Sequence, residues 1–358
     1  MPLRVLIAGG GTGGHVIPAL ATARELRDKH SAEVRFVGTA RGLETKLVPE
    51  AGFALELIHV GQLKNVSLLT RLRTVADLPL GILRCISLLR SFKPSVVIGV
   101  GGYASGPAMM AAILLRIPTV AFEPNAVPGL ANRLVGKYVS AAAVNFASTM
   151  SYFRNAKVTG IPVRSEFFQI APKTAGPLCL LVFGGSQGAQ ILNRVMPKVA
   201  GRLLKGFPEL EILHQAGGRH GDSTYKAYAD AGIESGRLRV VPYLDAMVEE
   251  IAAADLILCR SGASTVAELA AAGRASILVP FAAAADDHQR KNAEVLVDAG
   301  AAAMILESEL TPDRAFTEII QLLANPEARQ RMAEAARTLA HANAAADIAQ
   351  ICLTLAKS

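Results

Sequence analysis

Twice in this chain an apolar, strand-like run breaks into a glycine-rich turn that opens a helix. LRVLIA leads into GGGTGGH at residues 9–15, and LCLLVF leads into GGSQGAQILNR at 184–194. Around these two units, short β-branched or apolar runs alternate with helical patterns, the signature of parallel βαβ units. Strands are expected at 3–8, 33–38, 96–100, 119–122 and 141–144, and again at 178–183, 211–215, 239–243, 256–259 and 276–281. The sequence therefore predicts an α/β protein: two doubly wound, Rossmann-like domains whose parallel sheets face each other across a cleft. The boundary is expected where Pro162, Pro172 and Pro177 interrupt the periodicity, giving domains 1–162 and 163–358. An Ala-rich stretch at 326–357 reads as one last helix that could pack on either domain. A chain of 358 residues exceeds one ordinary core and suits two. Ligands of such sheets bind beyond the carboxyl ends of the strands.

Half of the residues are apolar (51%) and 19% are charged, which provides a large core and excludes general disorder. Cys85, Cys179, Cys259 and Cys352 are widely spaced with no zinc-ligand pattern, and read as reduced core residues. The chain enters its first strand without a basic or apolar leader, so a cytoplasmic location is expected. Residues 95–115 carry no charge and are long enough to span a bilayer. Gly99, Gly101, Gly102, Gly106 and Pro107 instead split them into a buried strand, a glycine loop and a buried helix. Charge is uneven: residues 1–162 are net +10 and residues 163–358 net −3. The basic half should face phosphate, nucleic acid or an acidic membrane surface.

Glycines let backbone amides approach an anion, and a helix N-terminus adds its positive dipole. Both glycine turns suit phosphate, with Ser186, Gln187 and Asn193 as ligand or capping groups in the second. A tight βα turn needing glycine for packing alone remains the plain alternative. Gly9, Gly11 and Gly14 match a dinucleotide fingerprint, but the second strand closes on Val37-Gly38-Thr39 without the acid that would hold a ribose. No Gly-Lys-Ser/Thr follows, so this is not a P-loop. A third site is RSGASTVAELAAAG at 260–273. There Ser261, Gly262 and Ser264 can start and cap a helix, and Glu268 falls about one turn later on a face able to grip a ribose diol. An ordinary capping box with a solvated glutamate is the competing reading. Asp286, Asp287, His288 and Gln289 follow another strand, either as site groups or as a solvated loop. No DxD triplet or paired histidine spacing supports a metal, so no cofactor or metal is expected, and a leaving diphosphate would be met by helix dipoles and amides.

GGGTGGH, GGYASGP, EPNAVPGLANR, GGSQGAQILN, CRSGASTVAE and DDHQRKNAE, in this order along nearly the whole chain, resemble the peptidoglycan N-acetylglucosaminyltransferases of glycosyltransferase family 28, which convert lipid I to lipid II. The resemblance implies a GT-B fold, with the acceptor and membrane on the first domain and UDP-N-acetylglucosamine mostly on the second. It implies donor contacts from Thr12, Gly13, Gly14, Asn125, Arg164, Ser186, the Leu244 backbone, Ala263, Ser264, Thr265, Val266, Ala267, Glu268 and Gln289. Where the family usually reads His-Glu-Gln-Asn, this chain has Phe122-Glu123-Pro124-Asn125.

Residues 63–93 mix Leu68, Leu69, Leu72, Val75, Leu78, Leu80, Ile82 and Leu83 with Lys64, Arg71, Arg73, Arg84 and Arg90. That mixture fits either peripheral binding to anionic lipid or a core helix with a basic face; the resemblance implies a place at the cytoplasmic face of the inner membrane. The implied reaction is an inverting displacement in which the C4 hydroxyl of the muramyl sugar attacks the anomeric carbon and UDP departs. His15 is the first candidate base and Glu123 the second. Expected partners are the donor sugar nucleotide, lipid I, anionic membrane and other cell-wall synthesis proteins, with no nucleic acid. Three other readings compete: a GT-B enzyme with a diacylglycerol acceptor, an NAD-dependent oxidoreductase, and a nucleic-acid binder. The last is disfavoured by the absence of Trp and by only 5% aromatics.

Overall fold

A computed structural model describes residues 3–60, 68–233 and 236–357, with side chains described outside 68–77. The chain forms two compact units, Met1–Pro162 with Asn343–Ser358, and Val163–Ala342.

Unit 1 is built on seven strands: β1 (Arg4–Ala8), β2 (Glu33–Gly38), β3 (Ala54–Leu57), β4 (Val96–Gly99), β5 (Thr119–Glu123), β6 (Ala141–Val144) and β7 (Ala156–Val158). All pair in parallel in the order β3-β2-β1-β4-β5-β6-β7. The central strands are mostly apolar and buried, because helices cover both faces of a parallel sheet. Its helices are α1 (Gly13–His30), α2 (Glu44–Glu50), α3 (Leu68–Phe92), α4 (Ser105–Leu114) and α5 (Leu130–Val135). Unit 2 opens with the short α6 (Ser165–Phe168). It continues as β8 (Leu178–Phe183), α7 (Gln190–Gly206), β9 (Leu210–Gln215), α8 (Gly221–Asp230), β10 (Leu238–Val241), α9 (Met247–Ala253), β11 (Leu256–Cys259) and α10 (Ala263–Ala272). After these come β12 (Ser276–Leu278), α11 (His288–Asp298), β13 (Ala303–Met304), α12 (Pro312–Leu323) and α13 (Pro326–Thr338). Its six parallel strands run β10-β9-β8-β11-β12-β13. The doubly wound α/β class expected from the sequence is what the chain forms.

The stretch at 326–357, read as one helix, is two. Helix α13 packs on α10 in unit 2, where Arg337 donates to the carbonyls of Ala272 and Ile170. The final helix, α14 (Ala344–Lys357), packs on α1 in unit 1 and buries Ile348, Ala349 and Cys352. Two apolar faces demanded by two different cores require a break at 339–343. Residues 95–115 form β4, a glycine loop and α4, as the glycines predicted, and no described helix is long and apolar enough to cross a membrane. The strand order reverses between β1 and β4 and between β8 and β11. In doubly wound sheets ligands bind at such switch points, which singles out the loops at 9–15, 100–105, 184–189 and 260–265.

Candidate active site

In unit 1 the loop after β1 turns through Gly11 at φ +95° and enters α1, whose first turn holds His15. Thr12 is the N-cap residue in an extended conformation, but its hydroxyl makes no cap bond; it lies 3.5 Å from His15 Nδ1. The imidazole rests on the loop after β4. There Gly101 sits at φ +90°, and a Cβ added to it would stand 3.0 Å from His15 Nε2. Glycine at 101 thus sets how closely the ring approaches. Thr12 is exposed, while Gly13, Gly14 and His15 are half-buried, so the loop presents this segment to solvent.

Glu123, the second candidate base, ends β5 and is only 2% exposed. Its carboxyl accepts hydrogen bonds from Asn125 N (3.0 Å), Asn125 Nδ2 (3.2 Å), Gly129 N (3.0 Å) and Asn132 Nδ2 (2.9 Å). Burial pushes its pKa up, against the pull of these donors. Four donors on one buried carboxyl make Glu123 the organiser of the 124–129 loop that carries Asn125. That geometry leaves it poorly placed to take a substrate proton, so His15 is the stronger candidate. Phe122, standing where a histidine is usual, is buried in the core, and the Pro124 carbonyl accepts from Asn145 Nδ2 at 3.1 Å.

In unit 2 the turn after β8 leaves Ser186 and Gln187 exposed between Gly185 (φ +81°) and Gly188 (φ +73°). Asn193, expected as a ligand or cap, is buried. Its Nδ2 donates to Ala216 O (2.9 Å), and its Oδ1 is 3.1 Å from His214 Nε2, whose Nδ1 meets the Tyr228 hydroxyl at 2.7 Å. Burial holds His214 far below the ordinary imidazole range, at about 3, so it is neutral and links α7, β9 and α8. Gln215 accepts from Gly184 N and donates to Pro242 O, tying the same turn to the segment after β10, where Leu244 is buried and Tyr243 exposed.

The third turn departs from the capping box. Gly262 is the N-cap residue of α10 and no side chain caps the helix. Ser261 is fully buried and donates to Gln289 O at 2.8 Å, while Ser264 Oγ is buried without a hydrogen-bond partner. Ten residues of helix therefore start with uncapped amides at Ala263, Ser264 and Thr265 and no acid in the first turn, an arrangement that favours an anion. One turn on, Glu268 keeps a partly exposed edge, yet protein encloses its carboxyl on most sides. Desolvation raises it to about 7, and the Arg164 guanidinium works against that rise. Gln289 accepts from Phe281 N (3.0 Å) through Oε1, which points its amide nitrogen elsewhere. Asp286 and Asp287 are exposed with φ of +54°, and His288 Nδ1 is 2.7 Å from Ala285 O, as in a solvated loop. An open pocket of about 740 Å³ lies beside α6 and α9, lined by Arg164, Glu166, Gln169, Asp245 and Glu249. Only Arg164 among these is an expected donor contact.

One carboxylate that motif reading passed over lies in unit 1. Glu44, at the start of α2, reaches back into the first glycine loop. No sequence spacing announces it, since the acid comes from a helix and not from the end of β2.

Two family models match the chain: the glycosyltransferase family 28 N-terminal domain over residues 5–144 and the C-terminal domain over residues 179–351. The chain is similar to two UDP-N-acetylglucosamine–N-acetylmuramyl-(pentapeptide) pyrophosphoryl-undecaprenol N-acetylglucosamine transferases. That of Anaeromyxobacter dehalogenans (strain 2CP-C) is 45% identical over 361 residues, covering 99% of this chain and 94% of that protein. That of Syntrophus aciditrophicus (strain SB) is 42% identical over 364 residues, covering 99% of both. Among solved structures the chain resembles Acinetobacter baumannii MurG, with 31% identity and a TM-score of 0.81 over 99% of this chain and 100% of that one.

Proposed function

The chain belongs to glycosyltransferase family 28, and from that we propose that it transfers N-acetylglucosamine from UDP-N-acetylglucosamine to lipid I, with inversion at the anomeric carbon. Its two Rossmann-like units are of the GT-B class. The observation that carries the reading is the β11–α10 turn. Uncapped helix amides with an unpartnered Ser264 hydroxyl suit a diphosphate, and Glu268 one turn later suits a ribose diol. The names of the relatives supply the sugar and the acceptor.

In this reading unit 2 holds the donor through Arg164, Ser186, Leu244, residues 263–268 and Gln289, and unit 1 carries the acceptor, His15, and the contacts of Thr12, Gly13, Gly14 and Asn125. The C4 hydroxyl of the muramyl sugar forms a bond to the anomeric carbon as the bond to the diphosphate oxygen breaks. His15 takes the hydroxyl proton, and the helix amides meet the charge on departing UDP. UDP release from UDP-N-acetylglucosamine tests this. Release should require a short-chain lipid I analogue and should persist in EDTA. Release without acceptor dependence, or abolished by EDTA and restored by a divalent ion, would contradict it.

We further assign unit 1 to the cytoplasmic face of the membrane. Leu80 and Leu83 on α3, Leu114 on α4 and Leu134 on α5 are exposed, with Arg84, Arg116, Arg133 and Lys137 nearby in sequence, and α4 packs against both α3 and α5. Residues 63–67 of the expected membrane segment lie outside the described residues. Sedimentation with phosphatidylglycerol vesicles should capture the protein at low salt and release much of it at high salt. Leu83→Glu with Leu114→Glu should lower the bound fraction without changing the melting temperature. Equal capture of the double variant would remove these helices from the membrane contact.

A further inference from the structure

We propose that Glu44 is an internal anion that occupies the inner half of the first glycine loop, making residues 9–11 a fixed platform for His15 and not a cradle for substrate phosphate. The side chain is 1% exposed. Its Oε2 accepts from Gly11 N at 2.7 Å, and its Oε1 accepts from Thr39 N (3.0 Å) and Thr39 Oγ1 (3.1 Å). Every donor points at an acceptor-only group, the pattern of a carboxylate. The surrounding backbone is shaped to it. A Cβ on Gly10 or Gly42 would overlap the carboxyl group, and one on Gly38 would stand 2.6 Å from Glu44 Cγ. Glycines from two separate segments, the first glycine loop and the end of β2 with its connection to α2, leave the room that this one side chain fills.

The amides a phosphate would need are already spent. Gly9 N donates to Val37 O (3.0 Å), Gly10 N to Gly101 O (3.3 Å) and Gly11 N to Glu44, while Gly11 O accepts from Leu43 N at 3.1 Å. A negative charge held beneath the loop also repels a second anion there. Ligand contact with this loop is thereby restricted to the segment after Gly11, where α1 begins. What Glu44 stabilises is the loop's shape: it fixes Gly11, the residue before the Thr12 N-cap, while the Gly10–Gly101 bond joins the loop to the one on which the His15 ring lies. Glu44 is thus a positioning residue, and its effect on turnover rests on the transferase reading given above.

The test uses the full chain with Glu44→Ala and Glu44→Gln. Truncation to alanine removes the equivalent of one acetate ion. Glu44→Ala should lose about tenfold or more in kcat with a smaller change in KM for UDP-N-acetylglucosamine, because most of the proposed donor contacts lie in unit 2. Acetate should restore part of that kcat, and should raise the variant's melting temperature in a saturable way that chloride at equal ionic strength does not reproduce. Glu44→Gln fills the space but turns a donor toward Gly11 N or Thr39 N, so it should lose kcat without acetate rescue. Wild-type kcat in both variants, or acetate acting on Glu44→Ala no better than chloride, would overturn the proposal. The melting shift needs no substrate. It decides the anion assignment even if wild-type protein fails to glycosylate lipid I, an outcome that would count against the transferase reading alone.

Discussion

Replacing His15 with alanine should lower kcat by roughly 10²- to 10⁴-fold, the range by which a positioned general base accelerates proton transfer, and should leave KM for UDP-N-acetylglucosamine within a small factor. The ring sits in the first turn of α1 with Thr12 Oγ1 on its Nδ1 side and Gly101 beneath its Nε2 side. Removing it costs unit 1 few packing contacts, because His15 is only half-buried, so the variant should fold. The discriminating readout is the pH profile of kcat. A base must be deprotonated to work, so wild-type turnover falls on the acid side, and that limb should flatten in His15→Ala. Gly101→Ala offers an independent approach. Its Cβ would press on Nε2 at 3.0 Å, in a backbone conformation that side chains rarely adopt, and the ring must move. Lower kcat with retained donor affinity is expected there too. Wild-type turnover and an unchanged profile in His15→Ala would withdraw the base assignment.

Most strands were legible because their cause is local. Runs such as VLIA at 5–8 and LCLLVF are apolar throughout since helices cover both faces of a parallel sheet, and glycine punctuates each carboxyl end. The strands that the sequence did not announce, β3, β7 and β13, are all at sheet edges. Each is four residues or fewer and has no fully buried residue, so burial imposes little pattern on it. The strand expected at 239–243 stops at Val241 because Pro242 has no amide to donate to the ladder.

Functional side chains were legible as types but not as partnerships. Ser261 and Ser264 read as caps, since serine commonly caps helices, yet the fold turns Ser261 into the core to hold Gln289 and leaves Ser264 without a partner. Asn193 reads as a ligand or capping group, and only the pairing of β9 beside β8 reveals that His214 claims it. Glu44 shows the same limit from the other side. Gly10, Gly38 and Gly42 each have an ordinary local reading as turn glycines, and nothing short of the tertiary fold reveals that they surround one carboxylate. Glu123 reads from the sequence as a second candidate base, and only the fold reveals the four donors that surround its buried carboxyl.

Glu268 should make donor binding depend on pH in a direction fixed by its environment. Desolvation lifts its carboxyl from 4.5 to about 7 in the free protein, with Arg164 limiting the rise. A ribose diol donates hydrogen bonds, which favours the ionised form and lowers the pKa in the complex. Binding then releases a proton, and affinity rises with pH until the free carboxyl is ionised, levelling above about 7. About a tenth of the free carboxyls are ionised one unit below that value and about nine tenths one unit above. UDP-N-acetylglucosamine should therefore bind roughly tenfold more weakly at the lower pH. The diphosphate diester of the sugar nucleotide does not titrate in this window, so calorimetry with it isolates the protein group. Glu268→Gln should weaken binding by roughly ten- to hundredfold at the upper pH, the loss expected for charged hydrogen bonds, and should abolish the slope. Arg164→Met should move the midpoint upward, because the cation opposing the rise is gone. The unliganded protein must show the opposite dependence. A raised folded-state pKa contributes stability that is present below 4.5 and is lost as pH climbs through about 7. Glu268→Gln should accordingly melt higher relative to wild type above that pH than below 4.5. Donor affinity flat across the window, with Glu268→Gln binding as tightly as wild type, would place the ribose on another group and leave the uncapped start of α10 as a diphosphate site alone.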